Sequence, residues 1–271
     1  MSVKELDAWV DERDFELLKG DRYTFEVLSR ILRSPCDLVL TDHERFILCH
    51  SAAPYPVWIW MPDGAPEEEK ARAWAIFQEN RPLGKGYRCN MKYELAEYFI
   101  ARAKREGLSA GVAMNLLAYD CPSPVFPHHP ADGGLYACAG KDVEEAAGMI
   151  RQFHAAIEAD RVDDAAILKK AAAYIADNAF FLWKNGEGKT VACCSYKPDG
   201  AFASLGGVYT LPAFRRKHYA ENLVYEVTRI AAGKGFLPML YTDADYIASN
   251  ACYEKIGYVC RGKLCTIALL S

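Results

Sequence analysis

The sequence lacks any run of about 18 consecutive apolar residues, which argues against a membrane-spanning helix. Residues 1–13 mix charges and contain no basic stretch leading into an apolar one, so no secretory signal is expected. The formal net charge is only -4, which excludes a global basic field that could coat nucleic acid or an anionic membrane. We therefore expect a cytoplasmic protein with neither partner, in which any anion site is local.

The cysteines also lack a pattern. Ten occur, but no Cys-x-x-Cys pair is present, so the ligand spacing of a zinc site is absent. Most lie beside apolar or aromatic residues, where a free cysteine acts as a small hydrophobe. We interpret them as reduced core thiols and predict no metal. His128 and His129, with Cys121 nearby, are interpreted as part of a solvated linker, with a weak metal site as the alternative.

A proline-rich stretch divides the chain. Between Cys121 and Gly134 there are four prolines and two glycines, a density that excludes regular structure. A length of 271 residues with 51% hydrophobic residues suits one large domain or two small ones, and we expect two domains. We predict an N-terminal domain at 1–121, a connector at 122–134 and a C-terminal domain at 135–271.

Hydrophobic periodicity predicts alternating elements in the C-terminal part. The predicted strands cover about 135–139, 179–183, 190–196, 202–210, 237–242 and 258–270, the last as a strand pair or one long bent strand. The predicted helices cover about 142–158, 163–176, 218–233 and 248–256. This is a mixed α/β, α+β-like fold around one sheet. The N-terminal part shows roughly the same alternation, with helices at 25–32, 67–79 and 92–105 and strands at 38–40, 46–50, 57–61 and 112–119.

The most informative run leads from a predicted strand through a basic turn into an amphipathic helix. Arg215, Arg216 and Lys217 lie in that turn. The first turn of a helix leaves backbone N–H groups unpaired and carries the positive end of the helix dipole, so such a junction binds phosphates. The run therefore predicts a phosphate or pyrophosphate site.

Residues 206–259 resemble the GCN5-related N-acetyltransferase (GNAT) superfamily, whose members transfer an acyl group from acyl-coenzyme A to an amine. The family's pyrophosphate turn has Arg or Gln, two variable residues, Gly, one variable residue, then Gly or Ala; residues 215–220 read Arg-Arg-Lys-His-Tyr-Ala. The strand before it, Val-Tyr-Thr at 208–210 followed by Pro212, resembles the entry found in some bacterial members. Residues 242–243 and 249–258 match the family's strand, helix and Tyr-x-x-x-Gly-aromatic ending.

The resemblance implies a mixed sheet flanked by helices, and the connector and the strand before it resemble two-domain members. In these a degenerate acetyltransferase-like half precedes the active one, so two such units in tandem are expected. The resemblance also implies acetyl-coenzyme A (acetyl-CoA) as the acyl donor and a small-molecule or protein amine as the acceptor. The implied coenzyme-binding residues are Val208, Tyr209, Thr210, Arg215, Arg216, Lys217, His218, Tyr219, Ala220 and Asn250.

The glycine pair Gly206-Gly207 inside a predicted strand indicates a bulge or a close backbone approach, with a plain irregular strand as the alternative. The resemblance adds a splayed strand that admits the thioester there. A backbone N–H at Val208 or Tyr209 would then polarise the thioester carbonyl. Tyr253 matches the family's general acid, which protonates the departing thiolate; a packing role is the alternative. Capping or solvent exposure is the alternative for Asn250.

His218 departs from the family, which has glycine at this position because the backbone must approach phosphate oxygens or adopt a left-handed conformation. Histidine tolerates that conformation better than most residues, so retained binding is the favoured outcome and a partly blocked cradle the alternative. No general base is identified; His154 and Glu158 are weak candidates. Tyr55, Trp58 and Trp60 are candidates for acceptor-pocket walls or for core packing.

Three functions are compatible with these residues. The leading hypothesis is an N-acetyltransferase that acts by direct attack of an amine on acetyl-CoA. The alternative is a non-catalytic acyl-CoA sensor or scaffold with the same fold. A nucleotide-binding α/β domain is the third, but Gly233-Lys234-Gly235 is better interpreted as a helix C-terminus, since neither a Walker pattern nor a dinucleotide fingerprint surrounds it. The acceptor and the oligomeric state, a homodimer among the options, stay open.

Overall fold

A computed structural model of the chain describes residues 5–157 and 163–270. The helices are α1 (Glu12–Leu18), α2 (Glu26–Leu32), α3 (Glu67–Asn80), α4 (Tyr93–Arg105), α5 (Val143–Ala156), α6 (Asp164–Ala176), α7 (Tyr219–Gly233) and α8 (Ile247–Lys255). The strands are β1 (Leu38–Thr41), β2 (Ile47–His50), β3 (Val57–Trp60), β4 (Cys89–Met91), β5 (Ala110–Asp120), β6 (Gly134–Ala137), β7 (Phe180–Lys184), β8 (Thr190–Asp199), β9 (Phe202–Thr210), β10 (Leu237–Asp243) and β11 (Val259–Leu269). Among these helices, none is long and apolar enough to cross a bilayer.

The chain divides into two compact units. Unit 1 comprises the described parts of 1–118, 243–245 and 261–271, and unit 2 comprises those of 119–242 and 246–260. Unit 2 therefore includes the proline-rich stretch, and unit 1 includes the end of the chain. These limits differ from the domain boundaries that we predicted at 121 and 135, because the last strand pairs with the N-terminal part.

Unit 1 contains six strands with mixed pairing, covered by helices. Its strand order is β1-β2-β3-β4-β11-β5. The pair β3–β4 is parallel, whereas β1–β2, β2–β3 and β4–β11 are antiparallel. The three rings of Trp74, Phe77 and Phe99, contributed by α3 and α4, pack together in its core.

Unit 2 contains five strands in the order β10-β9-β8-β7-β6. Its strands are antiparallel neighbours except for the parallel pair β9–β10. Helices α5 and α6 each bury one face, which includes Ala147 and Ile150 of α5 and Ile167 and Ala171 of α6. These residues form one core cluster with Cys193 of β8 and Tyr209 of β9. The mixed α/β class is confirmed, since parallel and antiparallel strand pairs occur in each unit.

Two elements were not predicted. Helix α1 is only 7 residues long and begins at a capping box, in which Asp11 accepts from the Arg13 N–H and Asp14 accepts from the Asp11 N–H. Strand β4 has 3 residues and lies between β3 and β11. The residues at the end of the chain form one strand, β11, which decides between the two alternatives left open for 258–270.

Candidate functional site

Strand β9 contains a bulge at the glycine pair. Its pairing with β8 shifts between Cys193–Tyr209 and Ser195–Gly206. Between these two pairs β9 has two residues, 207 and 208, whereas β8 has only residue 194. Gly207 has a φ of +62°, in the left-handed region that glycine adopts without strain. The predicted bulge is confirmed, and its extra residue lies at Gly207 or Val208.

Side chains of β8 bind both carbonyls of the glycine pair. Ser195 Oγ donates to Gly206 O over 3.1 Å, and Cys193 Sγ donates to Gly207 O over 3.3 Å. Burial raises the pKa of Cys193 to about 12, so the thiol keeps its proton at neutral pH. The backbone N–H of Tyr209 is directed at the same sulfur.

The other edge of β9 opens beside the bulge. Parallel pairing with β10 runs from Phe202–Leu237 to Leu205–Leu240 and ends there. The next residues of β9, from Gly206 to Thr210, continue along β8 alone. A strand edge of this kind can pair with an extended, amide-containing ligand. The pantetheine arm of coenzyme A has that character.

The turn after β9 adopts the backbone conformation of a phosphate cradle. Arg216 and His218 have φ angles of 63° and 62°, and His218 is the N-cap of α7. Alternation of this kind around a helix start produces a concave nest of N–H groups. Within the described chain, the backbone N–H groups from Arg216 to Ala220 have no hydrogen-bond partner, and the first helical bond runs from Asn222 N to His218 O over 3.1 Å. The histidine therefore holds the conformation for which glycine is usual.

The basic side chains of the turn do not all face the nest. Arg215 turns back to the strand, where its Nε donates to Thr210 O over 3.3 Å and its guanidinium lies over the Tyr209 ring. The Lys217 ammonium lies 5.6 Å from the centre of the Phe214 ring. Both cations therefore lie beside the turn and add positive charge to that of its backbone N–H groups. Arg216 is exposed.

His218 has two neighbours of its own. Its Nδ1 lies 3.3 Å from Oε2 of the buried Glu221, and its ring centre is 4.7 Å from that of His129. Asn222 Nδ2 donates to the carbonyls of both histidines over 2.9 Å. The imidazole thus points to Glu221 and His129, and the His218 N–H stays available in the turn.

The proline-rich stretch is docked along unit 2. Asp132 accepts hydrogen bonds from the Tyr219 hydroxyl and from Gly186 N, and its own carbonyl accepts from Trp183 Nε1. The Tyr219 hydrogen bond is the largest cause that lowers the pKa of Asp132, and it raises the pKa of Tyr219 to about 12. Tyr219 therefore anchors the start of α7, and its hydroxyl is not directed at a ligand.

Tyr253 of α8 is 8% exposed, and burial is the largest cause that raises its pKa. The thiols of Cys194 and Cys252 raise it further. Cys194 lies on β8 between the two residues that bind the bulge carbonyls. Across residues 5–157 and 163–270, the Tyr253 hydroxyl has no hydrogen-bond partner, although its ring contacts that of Tyr258. The protonated Tyr253 hydroxyl therefore donates to no acceptor among the described residues.

Asn250 and Thr210, two other residues predicted to bind the coenzyme, differ in their contacts within the fold. The Asn250 amide oxygen accepts a hydrogen bond from Thr242 Oγ1 over 2.9 Å, and the residue is 8% exposed, so it joins β10 to α8. Thr210 Oγ1 is buried, with no partner among the described residues.

His154 and Glu158 are the two candidate bases from the sequence. His154 on α5 has a buried Nδ1 that no described residue hydrogen bonds. Burial, and then the charge of Lys170, lower the pKa of His154, which favours the neutral form that a base requires. Its neighbour Phe153 contacts the Tyr209 ring, with centres 6.4 Å apart. Glu158 lies outside the described residues.

The aromatic candidates of the N-terminal part are core residues of unit 1. Trp58 and Trp60 are each 5% exposed; Trp58 packs on Phe25, and Trp60 Nε1 donates to Asp21 over 2.9 Å. Only Tyr55 is exposed. This favours the packing alternative for the two tryptophans.

The described residues contain one group with metal-ligand spacing, Asp11, Asp14 and His43 in unit 1. Asp14 already accepts from Asp11 N, from Thr41 Oγ1 and, at 2.7 Å, from His43 Nδ1. These bonds account for the cluster as part of the α1 cap. The group does not include Cys121, His128 or His129.

Three residues of the site were missed by sequence reasoning. Ser195, Cys193 and Asp132 act through contacts with residues distant in sequence, so no local motif marks them. The only available signal was the glycine pair, which indicates that a neighbouring strand must accommodate a bulge.

Comparison with known proteins extends these observations. Residues 149–258 match the family model described as "Acetyltransferase (GNAT) family". A GCN5-related N-acetyltransferase of Sphaerobacter thermophilus superposes with a TM-score of 0.72 at 10% identity, covering 97% of this chain and 94% of that one. A Drosophila protein gives 0.67 at 18% identity, with 98% of each chain covered. A GCN5-related N-acetyltransferase of Kribbella flavida gives 0.65 at 15% identity, with 93% and 96% covered.

At these identities the likeness shows the fold of nearly the whole chain. No curated protein matches the sequence.

Proposed function

We propose that this chain, in which residues 149–258 are a GNAT acetyltransferase domain, is an N-acetyltransferase with acetyl-CoA as donor and an amine as acceptor. The family and the fold support acyl transfer in general. The observation that carries the proposal is the succession of a glycine bulge on an open strand edge and a turn with five unpaired N–H groups. A coenzyme A molecule needs both, since it has a thioester at one end and a pyrophosphate at the other.

The turn would hold the pyrophosphate. The N–H groups of residues 216–220 donate to its oxygens, and the positive end of α7 adds to their effect. Glu221 opposes this, because its carboxylate lies in the first turn of α7. The imidazole of His218 lies beside that carboxylate, with Nδ1 3.3 Å from Oε2. Lys217 and Arg216 supply further positive charge beside the turn.

The bulge would hold the thioester carbonyl. Of the two donors expected from the sequence, we assign the Val208 N–H, because the Tyr209 N–H is directed at Cys193. As the amine attacks, the carbonyl oxygen gains negative charge, which this N–H stabilises. The carbon–sulfur bond then breaks, Tyr253 donates its proton to the departing thiolate, and the proton lost by the amine restores the tyrosine.

Binding of acetyl-CoA is the first test. Calorimetric titration of the full chain should give saturable binding of acetyl-CoA, which Arg216→Glu weakens at least tenfold by placing a negative charge beside the turn. Lys19→Glu, a matched charge reversal on an exposed lysine of unit 1, should leave the affinity unchanged. Failure to bind acetyl-CoA at millimolar concentration would refute the proposal.

Release of the free thiol is the second test. Acetyl-CoA is incubated with small amines, amino acids and basic peptides, and the free thiol is measured. A thiol signal that depends on one amine class supports the enzyme. Binding without thiol release in every case would favour the acyl-CoA sensor instead. The cytoplasmic location stays a prediction, and the identity of the amine and the oligomeric state stay open.

A further inference from the structure

Two successive carbonyls of β9 point to the same neighbour. Gly206 O and Gly207 O accept from Ser195 Oγ and Cys193 Sγ, both of which belong to β8. In a regular strand, successive carbonyls point to opposite sides. The left-handed φ of +62° at Gly207 breaks that alternation.

The direction of the carbonyls fixes the direction of two N–H groups. In a trans peptide the C=O and the following N–H point in opposite directions. The Gly207 N–H shares a peptide with Gly206 C=O, and the Val208 N–H shares one with Gly207 C=O. Both N–H groups therefore point away from β8, toward the edge where pairing with β10 has ended at Leu205–Leu240.

We propose that Ser195 and Cys193 are positioning residues that hold the N–H groups of Gly207 and Val208 together as a two-donor oxyanion site. The ligand is the carbonyl oxygen of an acyl thioester, so the inference rests on the proposed function. It adds the second donor, Gly207 N–H, and the two side chains that keep both donors aligned. Preorganised donors are effective because they need no rearrangement during the reaction.

Each side chain can do this only as a hydrogen-bond donor. The serine hydroxyl donates at neutral pH, and the burial of Cys193 keeps its thiol protonated. The thiol is also 1% exposed, so water does not compete for Gly207 O from that side. Without these donors, Gly207 C=O could turn toward the open edge, and the Val208 N–H would turn away from it.

The carbonyl stretch of bound acetyl-CoA reports on the two donors without an acceptor. Isotope-edited infrared spectra of acetyl-CoA labelled with ¹³C at the thioester carbonyl are recorded free and bound. The bound band should move to lower frequency in the wild-type protein. Ser195→Ala and Cys193→Ala should each lose about half of that shift, because one of two donors is misaligned.

Matched variants separate positioning from packing. Ser195→Cys and Cys193→Ser keep a donor and should restore most of the shift. Cys194→Ala removes the intervening buried thiol, whose Sγ donates to Ser195 O, and should leave the shift unchanged. If Cys193→Ala does not fold, Cys193→Val keeps the volume without the donor. Calorimetry with acetyl-CoA should show affinities within about twofold of wild type, since the donors act mainly on the developing charge.

The outcomes are distinguishable. If both alanine variants bind acetyl-CoA with the full wild-type band shift, the inference is wrong and the proposed function stands. If the wild-type protein binds acetyl-CoA without any shift, the bulge is not an oxyanion site. If it does not bind acetyl-CoA, the proposed function itself fails.

Discussion

At the scale of single residues, Tyr253 and Tyr258 form a matched pair. Both are buried, and their rings are in contact. The Tyr258 hydroxyl lies 2.7 Å from Thr228 Oγ1, whereas that of Tyr253 has no partner in the described chain. Deleting each hydroxyl should therefore affect different properties.

Tyr253→Phe is expected to lower thiol release at least tenfold, because a general acid contributes about 10² to 10⁴ in rate. Its stability and acetyl-CoA affinity should stay near wild type. Tyr258→Phe should instead lose about 1 kcal/mol of stability with unchanged turnover. Thermal melts and thiol-release rates measure both. Equal turnover in the two variants would leave Tyr253 with a packing role only.

His218 shows how a residue other than glycine can serve in the turn. Its φ of 62° costs a side chain about 1 to 2 kcal/mol, a penalty that histidine bears better than a β-branched residue. His218→Gly should keep acetyl-CoA binding, and His218→Val should lower both stability and affinity. Chemical denaturation and calorimetry test this. A valine variant with wild-type affinity would show that the turn conformation is not needed.

At the scale of elements, the bulge offers a similar comparison. Gly207 requires a left-handed φ, while an added Cβ would meet only Ser195 Oγ, at 3.6 Å. The strain of Gly207→Ala is thus conformational, about 1 to 2 kcal/mol. Gly206 has neither constraint, so Gly206→Ala should keep the stability near wild type. Denaturant midpoints of the two variants should differ, and identical midpoints would mean that the bulge can move.

The docked proline-rich stretch predicts a dependence on pH. Hydrogen bonds from Tyr219 and Gly186 lower the pKa of Asp132 from its ordinary 3.8, so the folded state favours the carboxylate. The stabilisation is therefore complete above the unfolded pKa and is lost as the pH falls through the lowered folded pKa. The difference in melting temperature between wild type and Asp132→Asn should be constant from about pH 7 to pH 5 and shrink below about pH 4. A difference that persists unchanged at pH 3 would exclude this role.

Much of unit 2 could be predicted because its elements carry strong local signals. The alternating run 202–210 is confirmed as β9, and the periodic run after the basic turn is confirmed as α7. Strand β4 could not be predicted, since its 3 residues are fixed by neighbours on both sides and not by local pattern. The same reason hid Ser195 and Cys193, which matter only once β8 lies beside the bulge.

At the scale of the whole molecule, unit 1 is discontinuous in the sequence, because it includes the described parts of 243–245 and 261–271. Cys265 and Ile267 of β11 are fully buried and pair with β4 in unit 1. A fragment of residues 119–271 would keep these side chains but lose their partner strand. It should bind a hydrophobic dye and aggregate. Size-exclusion chromatography of this fragment beside the full chain tests this, and a monodisperse 119–271 fragment would contradict it.

The placement of β11 also bears on the order of events during synthesis. Domains generally fold as they leave the ribosome, the N-terminal one first. Here unit 1 gains the strand between β4 and β5 only from β11, whose residues 265–267 pair with β4 and follow all of unit 2 in the chain. The unit that is begun first is therefore the one completed last, and until then its β4 edge is open to chaperones and to other nascent chains.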